Sequence, residues 1–163
     1  MNDTQYFFVS WEELHRDTRA LACRLLATAQ SSNSPWKGII AVTRGGMVPA
    51  AIIARELAIH VVETLGIISY DEQKQGTLKV VKDFNVELVG DGKDWLVIDD
   101  LVDTGKTYAA IRDILPQAHF ATVYAKPQGK PFVDTFVTEV SQNTWIHLPW
   151  DLGLEVTKPL IKR

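Results

Sequence analysis

At 163 residues, with 46% hydrophobic and 23% charged side chains, the chain has the size and balance of one globular domain with a real core. A net charge of -3 without a long basic run argues against a dedicated nucleic-acid binder and favours a metabolic protein. With one cysteine, Cys23, an intramolecular disulfide is excluded and a reducing, intracellular setting is expected; no signal peptide is visible, and no apolar run reaches the roughly 18 residues of a membrane span.

Residues 6–9 read as a short strand. Ser10, with Glu13 three residues later, forms a capping box for a helix starting at Trp11 and running to about residue 29. Leu14, Leu21, Ala22 and Leu25 share its inner face, and Cys23 is expected on it as a small buried hydrophobe. After a polar loop at 31–35, residues 37–43 carry the run Gly38, Ile39, Ile40, Ala41, Val42, a strand buried on both faces. It releases Arg44, Gly45 and Gly46 before a helix over 48–57, with Pro49 tolerated in its first turn. Arg44 offers phosphate oxygens a planar donor fork, and the glycines let the backbone approach closely; a tight turn with an exposed arginine is the plainer alternative.

A third strand is expected over 61–70. The polar stretch 71–77 reads either as a mobile lid or as a plain surface hairpin, and strand character resumes over 78–82. Residues 84–93, with Gly90 and Gly92, read as a connector.

Trp95 to Ile98 then form a short apolar strand that ends in charge: Asp99, Asp100, Leu101, Val102, Asp103, Thr104, Gly105, Lys106, Thr107. A helix follows over 108–115, stopped by Pro116. Thr104, Gly105 and Thr107 let backbone N–H groups face an anion at the helix start. Carboxylates beside a phosphate need sugar hydroxyls, a cation or a protonated base to face, so the stretch asks for a phosphorylated sugar and a divalent metal. A P-loop would require glycine five residues before Gly105, where Asp100 stands. A phosphatase pair of aspartates one residue apart also fails, since Leu101 follows Asp100.

Residues 120–125 give another apolar strand, closed by Lys126 and Pro127; taken alone, Lys126 reads as a solvated or snorkelling side chain. A less buried strand is expected over 132–140. Residues 145–151, with Trp145, Ile146 and Trp150, are too irregular for one helix; packing is the reading favoured for Trp150, whereas Trp145 is open between packing and ligand stacking.

Residues 98–107 carry two apolar residues, two acids, two further residues and Asp-Thr-Gly-x-Thr, and on that pattern the chain resembles the type I phosphoribosyltransferases. From residue 6 to about 153 it is similar to their bacterial xanthine-guanine branch, with landmarks at 36–46, 69–71, 98–107, 125–127 and 144–151. The resemblance implies one domain over 1–163 with an α/β fold: a central, mostly parallel twisted sheet flanked by helices, with a small hood from the C-terminal segment. It implies purine salvage, in which guanine, xanthine and more weakly hypoxanthine react with 5-phosphoribosyl 1-pyrophosphate and Mg²⁺ to give GMP, XMP and IMP.

The same resemblance assigns roles. Arg44 and Gly45 grip the pyrophosphate, and Thr104, Gly105, Lys106 and Thr107 hold the 5′-phosphate. Asp99 and Asp100 face the ribose hydroxyls, with Asp100 on the metal. Asp103 manages the proton at the purine N7 edge, Lys126 donates to the 6-oxo group, and Trp145 and Ile146 cover the other side of the base. A homo-oligomer, by resemblance a tetramer, in the cytoplasm also follows, with a loose hold on the inner membrane left open.

The chain departs from the family twice. Gly76 stands where a lid arginine is usual, leaving Lys74 as its candidate substitute, and Lys106 stands where the xanthine-guanine branch often has glycine, which leaves the ranking of bases open. Three other readings are a hypoxanthine-preferring enzyme, a transferase for adenine or a pyrimidine, and a regulatory nucleotide-sensing protein of the same fold. Lys126, which can only donate, disfavours the second. The third should show a basic face.

Overall fold

A computed structural model describes residues 5–70, 77–151 and 161. The capping box forms as expected: Ser10 Oγ accepts the N–H of Glu13 (3.2 Å), and Glu13 Oε2 accepts the N–H of Ser10 (2.8 Å). The first long helix, α1 (Trp11–Ser32), outlasts its expected end by about three residues, because the hydroxyls of Ser31 and Ser32 bond back to the carbonyls of Ala27 and Thr28. It stops at Asn33 in the left-handed conformation. Cys23 corrects the expectation made for it: it is exposed, because it stands one position past Ala22 and points away from the buried stripe.

The remaining elements are β1 (Gln5–Phe8), β2 (Gly38–Thr43), α2 (Met47–Glu56), β3 (Val62–Tyr70), β4 (Thr77–Lys82), α3 (Val86–Val89), β5 (Trp95–Val102), α4 (Lys106–Ile114), β6 (His119–Ala125), β7 (Thr135–Glu139) and β8 (Thr144–His147). Six strands form one sheet in the order β4-β3-β2-β5-β6-β7, parallel throughout except for the antiparallel β3–β4 pair. The central strands β2, β5 and β6 are buried on both faces because helices cover both sides of the sheet. On one side Ile39, Ala41, Ile98 and Val123 pack with Leu14, Leu21 and Leu25 of α1 and Ile53 of α2. On the other, Ile40, Val97 and Phe120 pack with Tyr108 and Ile111 of α4.

Three stretches differ from expectation. Within the connector over 84–93, Asn85 accepts the N–H of Leu88 and caps the one-turn α3. The strand read as ending at Ile98 continues through the acids to Val102, because Leu101 and Val102 pair with Tyr124 and Ala125 of β6. The aromatic end segment begins as β8, which pairs in parallel with β1 to make a second, two-stranded sheet. The expected hood therefore draws one of its strands from the N-terminus.

Tyr124 ties that hood and α1 to the main sheet. Its hydroxyl donates to the buried Asp17 of α1 (2.9 Å), and its ring meets Phe7 of β1 edge-on at 6.0 Å. Burial, followed by the bond to Asp17, pushes the phenol far above its ordinary range, so it remains a donor at every working pH. Tyr124→Phe should cost about 1–3 kcal/mol of stability, because a buried carboxylate loses a donor while the ring packing survives. Urea unfolding of the two proteins measures it.

Candidate active site

The chain leaves β2 through α2 for β3 on one side of the sheet, and leaves β5 through α4 for β6 on the other. The carboxyl ends of the adjacent β2 and β5 therefore open onto a crevice at a topological switch point, where ligands of open α/β sheets bind. Arg44 and Gly45 follow β2, Asp99 to Thr104 occupy the end of β5 and the turn after it, and Lys126 follows β6, so the three ends lie on the same edge.

The first two ends touch. A Cβ on Gly45 would lie 2.4 Å from a carboxylate oxygen of Asp100, and one on Gly46 would lie 2.2 Å from the carbonyl oxygen of Ile98. Only glycine lets the loop after β2 lie flat against β5, and the adjoining Thr43–Arg44 peptide bond is cis. Arg44 is exposed, and among the described residues its guanidinium makes no ion pair.

The second and third ends are bonded. Lys126 is only 6% exposed, which excludes the snorkelling alternative, and its Nζ donates to Asp103 Oδ2 at 2.9 Å. Its backbone N–H bonds the carbonyl of Val102 at 2.9 Å, fixing the base of the pair. Asp103 Oδ1 accepts a 2.7 Å bond from the amide of Gln142, a residue the sequence reading did not single out. A lone glutamine between two strands has no spacing to betray it.

Gly105 takes φ +84, and a Cβ there would lie 2.0 Å from the ring of Phe132. The turn is thus pressed onto the segment after Lys126, and α4 opens with no side-chain cap on its first N–H groups. Thr104 and Lys106 are exposed and Thr107 half-buried at this opening. Trp145 and Ile146 stand apart on β8. Trp145 is 61% exposed, whereas Ile146 packs its side chain into the core, which leaves only its main chain for a ligand. Trp150 packs against Trp11, with ring centroids 6.2 Å apart. The expected lid over 71–77, with Lys74 and Gly76, lies outside the described residues apart from Thr77, the first residue of β4.

Burial holds the Asp99 carboxyl well above the usual carboxylate range, and the neighbouring charge of Asp100 pushes it further. Burial also raises Asp100, against hydrogen bonds that lower it, and Asp151 adds repulsion. An acid whose pKa is raised by folding ionises first in the unfolded chain. The contribution of this pair to stability is therefore greatest below the ordinary carboxylate range and falls as pH rises towards the folded-state value. Asp99→Asn should flatten that loss and raise the unfolding midpoint of the metal-free protein at pH 7; calorimetry across pH 4–8 tests both.

The phosphoribosyl transferase domain family matches residues 10–157. Xanthine-guanine phosphoribosyltransferases from Desulfotalea psychrophila and Cereibacter sphaeroides are 58% and 52% identical to the chain. The alignments span 95% and 94% of the chain and 92% and 91% of those proteins. In shape, the chain is similar to the crystal structure of a purine phosphoribosyltransferase from Pyrococcus horikoshii, with a TM-score of 0.75 and 24% identity over 98% of this chain and 99% of that one. The crevice at the β2–β5 switch point, with its acids, its uncapped helix start and its two cations, is thus held on a chain that belongs to the phosphoribosyltransferases, and among them to the xanthine-guanine family.

Proposed function

We propose that the protein transfers the phosphoribosyl group of 5-phosphoribosyl 1-pyrophosphate to N9 of guanine and xanthine, and more weakly to that of hypoxanthine, releasing pyrophosphate. The observation that carries this reading is the Asp103–Lys126 pair at the crevice, which sets an acceptor for the proton at N7 beside a donor for the 6-oxo group of a purine.

Each group has work that suits its chemistry. Arg44 and the glycine loop bind the pyrophosphate, and the N–H groups opening α4, with Thr104 and Thr107, bind the 5′-phosphate. Asp99 and Asp100 face the ribose hydroxyls and stabilise the positive charge that grows on the ring as the bond from C1′ to pyrophosphate oxygen breaks. As N9 forms its bond to C1′, the imidazole proton at N7 passes to Asp103. Lys126 Nζ has three N–H donors, of which Asp103 uses one, and the others serve the 6-oxo group. The exposed Trp145 stacks on the base, and the main chain of Ile146 reaches its 2-substituent.

The acid pair fits Mg²⁺. Two adjacent, partly buried carboxylates, both raised by burial and Asp99 further by the charge of Asp100, suit a hard dication, and magnesium sites commonly join one or two carboxylates to substrate oxygens. Asp100 would hold the ion, directly or through water, which would supply positive charge to offset the negative charge of the leaving pyrophosphate. Gly45 would then set the room available beside it, since the loop is already against that carboxylate.

We place the enzyme in the cytoplasm as a homo-oligomer, a tetramer by resemblance. Exposed Phe8, Trp11 and Val81 provide apolar surface for such contacts.

The decisive assay supplies the ribosyl donor, Mg²⁺ and each of guanine, xanthine, hypoxanthine, adenine and uracil in turn. Turnover of the three 6-oxopurines is expected; adenine turned over as readily as guanine would remove Lys126 from its role. Asp103→Asn should lower kcat by about 100-fold or more while the donor KM changes by less than about threefold. Equal losses in both would remove the proton-handling role.

A further inference from the structure

Asp103 needs more than Lys126 to hold it. Lys126 also has to serve the base, and a carboxylate that is half exposed on a turn can rotate once its cation is shared. The second restraint is Gln142, in the turn between β7 and β8. Its orientation is not ambiguous: the backbone N–H of Gln128 donates to Oε1 at 3.0 Å, which leaves only Nε2 to face Asp103 Oδ1 at 2.7 Å. Gln128 lies two residues after Lys126, and the backbone N–H of Gly129 bonds the Lys126 carbonyl at 2.9 Å. The contacts close a ring from Asp103 through Lys126 and its turn to Gln142 and back. One carboxylate oxygen is fixed by a mobile cation and the other by a neutral amide whose own oxygen is already held.

We infer that Gln142 is a positioning residue for the transfer: it fixes the Asp103 carboxylate at the N7 edge while Lys126 engages the 6-oxo group. The inference rests on the role proposed for Asp103. Because the amide carries no charge, it restrains the carboxylate without neutralising it, and Asp103 can still accept a proton. Among the described residues the side-chain hydrogen bonds of Gln142 go to Gln128 and Asp103, neither of which is assigned to the donor, so its loss should fall on turnover rather than on donor binding.

The test compares Gln142→Glu and Gln142→Leu, alone and in an Asp103→Asn background, by steady-state kinetics with guanine. Glu keeps the oxygen that braces Gln128 but has no N–H for Asp103; Leu removes both bonds. Loss of a hydrogen bond to a charged group predicts that each variant lowers kcat by about tenfold or more, with the donor KM within about threefold. On Asp103→Asn, adding Gln142→Leu should cost less than about twofold further, because the partner it orients is already altered.

A Glu variant with normal kcat, beside an impaired Leu variant, would make Gln142 a mere loop brace and overturn the inference. So would a fully additive loss, or one shared equally by KM and kcat. Normal turnover by Asp103→Asn alone would overturn the reading of Asp103 itself, and this inference with it. A depressed Asp103→Asn with an unaffected Glu variant overturns only the role of Gln142.

Discussion

The structure depends on two adjacent parallel strands, β2 and β5, whose connections leave in opposite directions. Parallel pairing places both carboxyl ends on one edge, and the opposed crossovers keep that edge uncovered. What turns an open edge into a site is the contact between Gly45 and the carboxylate of Asp100. With any side chain at 45, the loop after β2 would stand off by the thickness of a methyl group, and Arg44 would no longer share a wall with the acids. Close approach of backbone to carboxylate is therefore the constraint from which the rest of the geometry follows.

That approach has an electrostatic consequence. Asp99 and Asp100 are adjacent and partly buried, and burial makes their ionised forms costly. Removing one carboxylate would relieve that cost but, on the proposed mechanism, would also remove a group that faces the ribose. The cations stand to either side, with Arg44 exposed after β2 and Lys126 buried after β6. They are not alike. Arg44 is exposed, whereas Lys126 is buried and already has Asp103 as its partner.

Much of this was legible before any coordinates. The runs at 38–42, 95–98 and 120–125 are short and mostly apolar without alternation, as strands of a sheet covered on both faces are, and a charged residue follows each within two positions. The acids and the small residues opening α4 are contiguous, so sequence alone placed them together. Other features depend on contacts distant in sequence and left no local trace. The strand β8 exists because β1 pairs with it from the far end of the chain, and β5 extends through its own acids because β6 continues beside it. Cys23 was misread because one step around a helix separates the buried stripe from solvent. Gln142 was missed because its partner lies 39 residues away and its type is ordinary on any surface.

The asymmetry around Asp103 bears on why a glutamine rather than a second cation stands there. Two cations on one carboxylate would hold it firmly but hold its charge too, depressing its appetite for the proton that, on the proposed mechanism, leaves N7. A neutral donor on one oxygen and a shared ammonium on the other separates the two demands: the amide supplies orientation, and the cation supplies a charge that can be redirected. Its exposure matters as well. Were Asp103 as enclosed as Lys126, sharing that cation with the base would leave a carboxylate uncompensated in a poorly solvated setting. Half open to solvent and held by Gln142, it could release part of its partner without that penalty, which would let one lysine serve both the carboxylate and the base, as the proposed mechanism requires.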